Sequence, residues 1–230
     1  MTSTAAGPRR PRIAVIHPYW TLWEHTAGPT FRADRLALAH RMAASLDDAF
    51  DAIGVGDFAS PEEAAALAPG YAAAGVEAVL ILQTMAVPSA YTLALLDALP
   101  GVAVVIWAYH ETGLVEGGFD HGGITTQGAT VGAPMLSNIL GRQGRPFDLV
   151  LGRGSDPMTV DRVRRALRLA ATARRIAAAR IGRVGSPIPG YLHVDLDEDE
   201  LRASTGIEIV RIDPDELVER YVAVEDERVR

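Results

Sequence analysis

The sequence predicts an α/β fold built on a doubly wound parallel sheet, and three observations carry that prediction. Short, solidly apolar runs recur from the N-terminal region to residue 151. Stretches with apolar residues at helical spacing separate them, and turn or capping residues open those stretches. Strands apolar on both faces and joined by helices belong to parallel sheets with right-handed crossovers.

The first strand is the run at 13–16, and the turn Gly28-Pro29 precedes a helix over 31–46 with Leu38, Met42 and Leu46 on one face. The second strand is 52–55. Ser60-Pro61-Glu62-Glu63 then supplies an N-cap, a first-position proline and first-turn acids for an alanine-rich helix. Residues 76–82 form the third strand, 88–99 a helix, 102–107 the fourth strand and 147–151 the fifth, after a helix begun near Ala129. A long helix follows over 158–179. Its stripe is Val163, Leu167, Ala170 and Ala177, and Arg164, Arg165, Arg168, Arg174 and Arg175 make it a solvated surface helix. A second series then begins: strand 180–184, a helix opened by Asp197-Glu198-Asp199-Glu200, strand 207–212 and a helix from Asp213-Pro214. Two strands and two short helices bury too little apolar surface for an independent core. The expected organisation is therefore a first domain at 1–179 and the start of a second, truncated α/β unit at 180–230.

Composition excludes several functions. A net charge of -7 argues against nucleic acid. With no cysteine there is no thiol nucleophile, thiolate metal site or disulfide. All 22 basic residues are arginine, so Schiff-base chemistry and a P-loop lysine are excluded. Neither a signal peptide nor an 18-residue apolar stretch is legible, so a cytoplasmic, non-membrane protein is expected.

Ligands of such sheets sit beyond the carboxyl ends of the strands, which directs attention to the loops at 17–25, 83–87 and 108–127. The first reads HPYWTLWEH. Its aromatic faces suit the C–H faces of sugars, and they equally suit covering the sheet end or a subunit contact. His110, Glu111, Asp120 and His121 have metal-ligand chemistry but no metal-motif spacing, and read better as solvated loop residues. Asp34, Asp47, Asp48 and the acidic run at 195–200 read as caps and exposed faces. Gly152-Arg153-Gly154 resembles a fragment of a phosphate loop without the remaining glycine spacing.

Four segments taken in order, AVLILQTMAVP (78–88), ITTQGATVGAPMLSNIL (124–140), FDLVLGRGSD (147–156) and GRVGSPIPGYLHVDLDEDELRASTGIEIVRIDPDELVERY (182–221), resemble the L-fucose/L-arabinose isomerase family, in particular its fucose-isomerase-like branch. The resemblance implies a flavodoxin-like (Rossmann-like) N-terminal domain of a sugar ketol isomerase. It also implies a catalytic divalent ion, often Mn2+, held by residues beyond those present, so that this chain alone binds no cofactor and is not catalytic by itself. By position it carries sugar contacts onto Tyr19 and Trp20, onto Gln83, Thr84 and Met85, and onto Gln127. Thr130 stands where the arabinose enzymes have a histidine. Thr125, Thr126 and Gln127 would offer hydroxyl and amide partners at the mouth of a helix, the alternative being ordinary capping. The expected partners are a small sugar and either further copies of the chain or a chain carrying the catalytic half. A stand-alone sugar-binding or regulatory module is the other reading.

Overall fold

The computed structural model describes residues 9–46, 49–110, 117, 120–191 and 195–224. The chain divides into two compact units, Arg10–Arg174 and a smaller one formed by Arg175–Arg230 with Met1–Arg9.

In the larger unit β1 (Arg12–Pro18), β2 (Asp51–Phe58), β3 (Ala78–Gln83), β4 (Ala103–Tyr109) and β5 (Phe147–Gly152) form one sheet in the order β2-β1-β3-β4-β5. All four pairings are parallel. This is the flavodoxin-like doubly wound order, with its switch point between β1 and β3. Period-two alternation sorts the strand side chains into two layers. Ile13, Val15, Leu80, Leu82, Val105, Trp107 and Val150 pack with α2 (Phe31–Ala44) and α7 (Pro157–Ala177). Ala14, Ile16, Val79, Ile81, Val104, Ile106 and Ala108 pack with α3 (Pro61–Ala73), α4 (Ser89–Asp97) and α6 (Ala129–Arg142). Every residue of β3 is buried, as expected of a central strand covered on both sides.

The helix starts follow their capping chemistry. Ser60 Oγ accepts from Glu63 N at 3.2 Å, while a Glu63 carboxylate oxygen accepts from Ala59 N at 2.7 Å, with Pro61 in the first turn. Asp120 caps the short helix α5 (His121–Thr126), which precedes α6 where the sequence suggested one helix starting near Ala129. Another short helix, α1 (Glu24–Ala27), follows a 3-10 turn at Thr21–Trp23.

Two strands run further than their apolar residues suggest. β1 continues through His17 and Pro18, because the histidine is buried by partners distant in sequence. β2 spans eight residues instead of four. Its alternation is broken by a bulge: Ala14 registers with Ile53 and Val15 with Val55, and Gly54 between them has φ +27°.

In the smaller unit β6 (Arg180–Val184) pairs in parallel with β7 (Glu208–Ile212), with α8 (Glu198–Thr205) between them and α9 (Pro214–Val222) after them. Asp197 Oδ1 accepts from Asp199 N and Glu200 N to start α8, and Gly206 ends it with φ +80°. Glu198 holds both Arg183 and Arg211. None of its described residues is buried. Its order therefore rests on local capping, ion pairs and a two-stranded ladder.

Leu80, fully buried in the central strand, tests the first core. Leu80→Ala is expected to cost about 2–5 kcal/mol, and Leu149→Ala on the edge strand under about 1 kcal/mol, measured by urea denaturation.

Candidate functional site

The chain leaves β1 toward β2 on one side and returns to β3 on the other, so the loops after β1 and β3 diverge over a crevice at their carboxyl ends. His17, near the end of β1, has no exposed surface, so both imidazole nitrogens need partners. Nδ1 lies 2.8 Å from Asp57 Oδ1, at the end of β2, and Nε2 lies 2.9 Å from Thr84 Oγ1, just after β3. Because a carboxylate only accepts, Nδ1 donates to Asp57, and Nε2 pairs with the Thr84 hydroxyl. The other Asp57 oxygen receives Arg32 Nε at 3.1 Å and Nη2 at 2.9 Å from α2. Burial pushes the Asp57 carboxyl up, but the hydrogen bonds from His17 and Arg32 outweigh it and hold the group below the usual aspartate range.

The Arg32 guanidinium also lies over the Tyr19 ring at 5.1 Å. Tyr19 is buried against Phe31, and its hydroxyl donates to Glu24 Oε1 at 3.1 Å. Burial, then Glu24 as acceptor and neighbouring charge, raise the phenol well above its ordinary range, so it stays a neutral donor.

Hydroxyl, imidazole and carboxylate thus stand at the spacing of a hydrolytic triad. Thr84, however, has no exposed surface to offer a substrate. The row serves as a tie that fastens the carboxyl ends of β2, β1 and β3 to α2.

Above this tie three loops converge. Tyr19, Phe31, Met85 and Val87 form a small apolar cluster with Trp20 and Trp23 packed on it. Trp23 Nε1 donates to Ala86 O at 2.6 Å, pinning the loop after β1 to the loop after β3. Trp20 stands edge-on to Trp23 with ring centroids 5.5 Å apart. Thr26 Oγ1 and Thr125 Oγ1, 3.4 Å apart, join α1 to α5. The α5–α6 segment closes on the loop after β3 through glycine: an added Cβ at Gly128 would meet Ala86 N at 2.8 Å, and one at Gly132 would meet Met85 O at 2.6 Å.

The residues singled out from the sequence occupy distinct places here. Tyr19, Gln83, Thr84 and Met85 are buried, and Gln83 Nε2 donates to Met85 O at 2.5 Å within its own turn. Trp20 and Gln127 are half-buried and Thr130 is exposed. Gln127 is the C-cap of α5. The three threonine hydroxyls donate locally, Thr125 to His121 O, Thr126 to Gly123 O and Thr130 to Gln127 O. Asp57 and Arg32 escaped the sequence reading because their partners lie 40 and 25 residues away. The available signal was a polar residue at the end of each of two adjacent strands.

Among the described residues no group of three or more histidine and acidic side chains is placed to hold a metal ion. The described residues by themselves therefore do not form the manganese site that the family resemblance implies. Of the four loop candidates, Glu111 lies outside the described residues, as do Asp47 and Asp48. No described helix is long and apolar enough to cross a membrane.

No family model matches the chain. Sulfoquinovose isomerases of Priestia aryabhattai and Priestia megaterium are each 23% identical to it over 124 residues, which is 54% of this chain and 26% of theirs. The matched stretch thus spans about a quarter of the length of these curated relatives. The likeness is to a sugar isomerase, and neither relative is named for L-fucose or L-arabinose.

The depressed Asp57 carboxyl has a pH signature. Its contribution is fully present above the unfolded aspartate pKa, about 4, and is lost as pH falls through the lower folded value. Asp57→Asn is expected to lose about 1.5–3 kcal/mol near neutral pH. Stability measured against pH should show variant and parent converging in acid.

Proposed function

We infer that the larger unit supplies sugar-facing loops to an aldose–ketose isomerase of the fucose/arabinose-isomerase-like type. The observation that carries this reading is the convergence of the three loops, with Trp20 and Gln127 partly open, over the β1/β3 switch point. The likeness to sulfoquinovose isomerases supports the reaction class. An indole beside amide and hydroxyl groups suits a ring with an apolar C–H face and a polar rim. Tyr19, Gln83, Thr84 and Met85 act from beneath by shaping the floor, while Trp20, Gln127 and Thr130 are the contacts a sugar meets.

Isomerisation moves a proton or hydride between C1 and C2 while the two oxygens are polarised, commonly by a divalent ion. In this proposal the metal ligands, and Mn2+ with them, come from outside the described residues, in an assembly with further copies or a partner chain. Leu149 and Leu151, 42% and 51% exposed on the edge strand β5, support such an assembly. A module that binds sugar without catalysis is the second reading.

Calorimetric titration of the protein with aldoses and ketoses, with and without Mn2+, tests the proposal. Metal-independent binding is expected. Trp20→Ala should weaken it by at least about 1 kcal/mol, roughly fivefold, and Tyr221→Ala in the smaller unit should leave it unchanged. Binding indifferent to Trp20→Ala would overturn the placement of the site. Isomerase turnover by the isolated chain, lost on substituting its own carboxylates, would overturn the division of labour.

A further inference from the structure

A cavity of about 280 Å³ opens at the same edge of the sheet, away from the aromatic loops, between α2 and the carboxyl ends of β4 and β5. Leu38 and Met42 of α2, Tyr109 at the end of β4, and Gly154 and Ser155 after β5 line it, with Arg41 at its rim. It belongs wholly to the larger unit. Gly154 is what leaves the space. An added Cβ there would lie 3.6 Å from Met42 Cγ and 3.8 Å from the Trp107 indole edge, so even a small side chain would rest on the floor of the crevice.

Arg41 supplies the second observation. Arg32 of the same helix is held by Asp57, whereas Arg41 has no ion pair or side-chain hydrogen bond among the described residues. Its place in the last turn of α2 suits the helix dipole, which accounts for a cation but not for a ligand-sized gap beside it. The Ser155 hydroxyl and the Tyr109 phenol provide neutral donors on the same walls. An apolar floor, one unpaired guanidinium and two hydroxyls define the occupant: a flat ring to fill the crevice and a single acidic group to reach Arg41.

We propose that this crevice is a second ligand site, for a small ring compound bearing one acidic group. It is independent of the sugar reading, because none of its lining residues belongs to the aromatic cluster.

The test is calorimetric titration of the full chain with phenyl phosphate, with inorganic phosphate and benzyl alcohol as partial probes. Phenyl phosphate should bind more tightly than either partial probe. Arg41→Gln, at an exposed position, should weaken it about tenfold, the worth of one charge-assisted hydrogen bond. Gly154→Leu, at a position without positive φ, should abolish it by filling the crevice, with circular dichroism checking that the variant folds. Trp20→Ala should change nothing. Absence of saturable binding, equal affinity for inorganic phosphate or benzyl alcohol, or binding unaffected by Arg41→Gln would each overturn the proposal. Loss of phenyl phosphate binding in Trp20→Ala would do so too, by placing the probe in the aromatic loops.

Discussion

A fully buried imidazole has two nitrogens to satisfy, and in this fold both are satisfied across strand boundaries. His17 reaches Asp57 on one neighbouring strand and Thr84 beyond the other, and Asp57 passes the connection to Arg32 on α2. Removing any one member would leave buried polar groups unpaired, which costs more than the bond itself contributes. The row therefore fixes the spacing of the strand ends on which the aromatic loops stand. Tyr19 is held by the same helix, with Arg32 over its ring and Phe31 packed against it at a tilt.

The sheet and its helices were legible in the sequence because burial in a doubly wound fold writes directly into composition. Residues 78–82 are apolar without interruption because helices cover both faces of β3. Ser60-Pro61-Glu62-Glu63 and Asp197 announced their helices through capping chemistry that acts over three residues. Polar ends of strands were less legible. His17 looked like the start of a loop, and Asp57 looked like nothing, since a charge in GVGDF is indistinguishable from a solvated one until its partner strand is known.

The candidate site divides along the same line. Segments such as AVLILQTMAVP and ITTQGATVGAPMLSNIL directed attention to the carboxyl edge of the sheet by chain order and strand polarity. What they do not encode is which side chains spend their polar atoms locally. Thr125, Thr126 and Thr130 look like a hydrogen-bonding surface in the sequence, yet each hydroxyl donates to a carbonyl three or four residues earlier. Gly128 and Gly132, unremarked as residues, are what let α6 approach the loop after β3 so closely.

The bulge at Gly54 has a reach beyond its own strand. Below it β1 and β2 register as Ile13 with Ala52, and above it as His17 with Asp57, an offset one residue larger. If the same residues paired without a bulge the earlier offset would continue and His17 would face Gly56, which has no carboxylate. The bulge thus decides which residue of β2 meets His17. Deletion of Gly54 itself would straighten the strand and keep His17 opposite Asp57, whereas closing the bulge with every residue retained would bring Gly56 there instead.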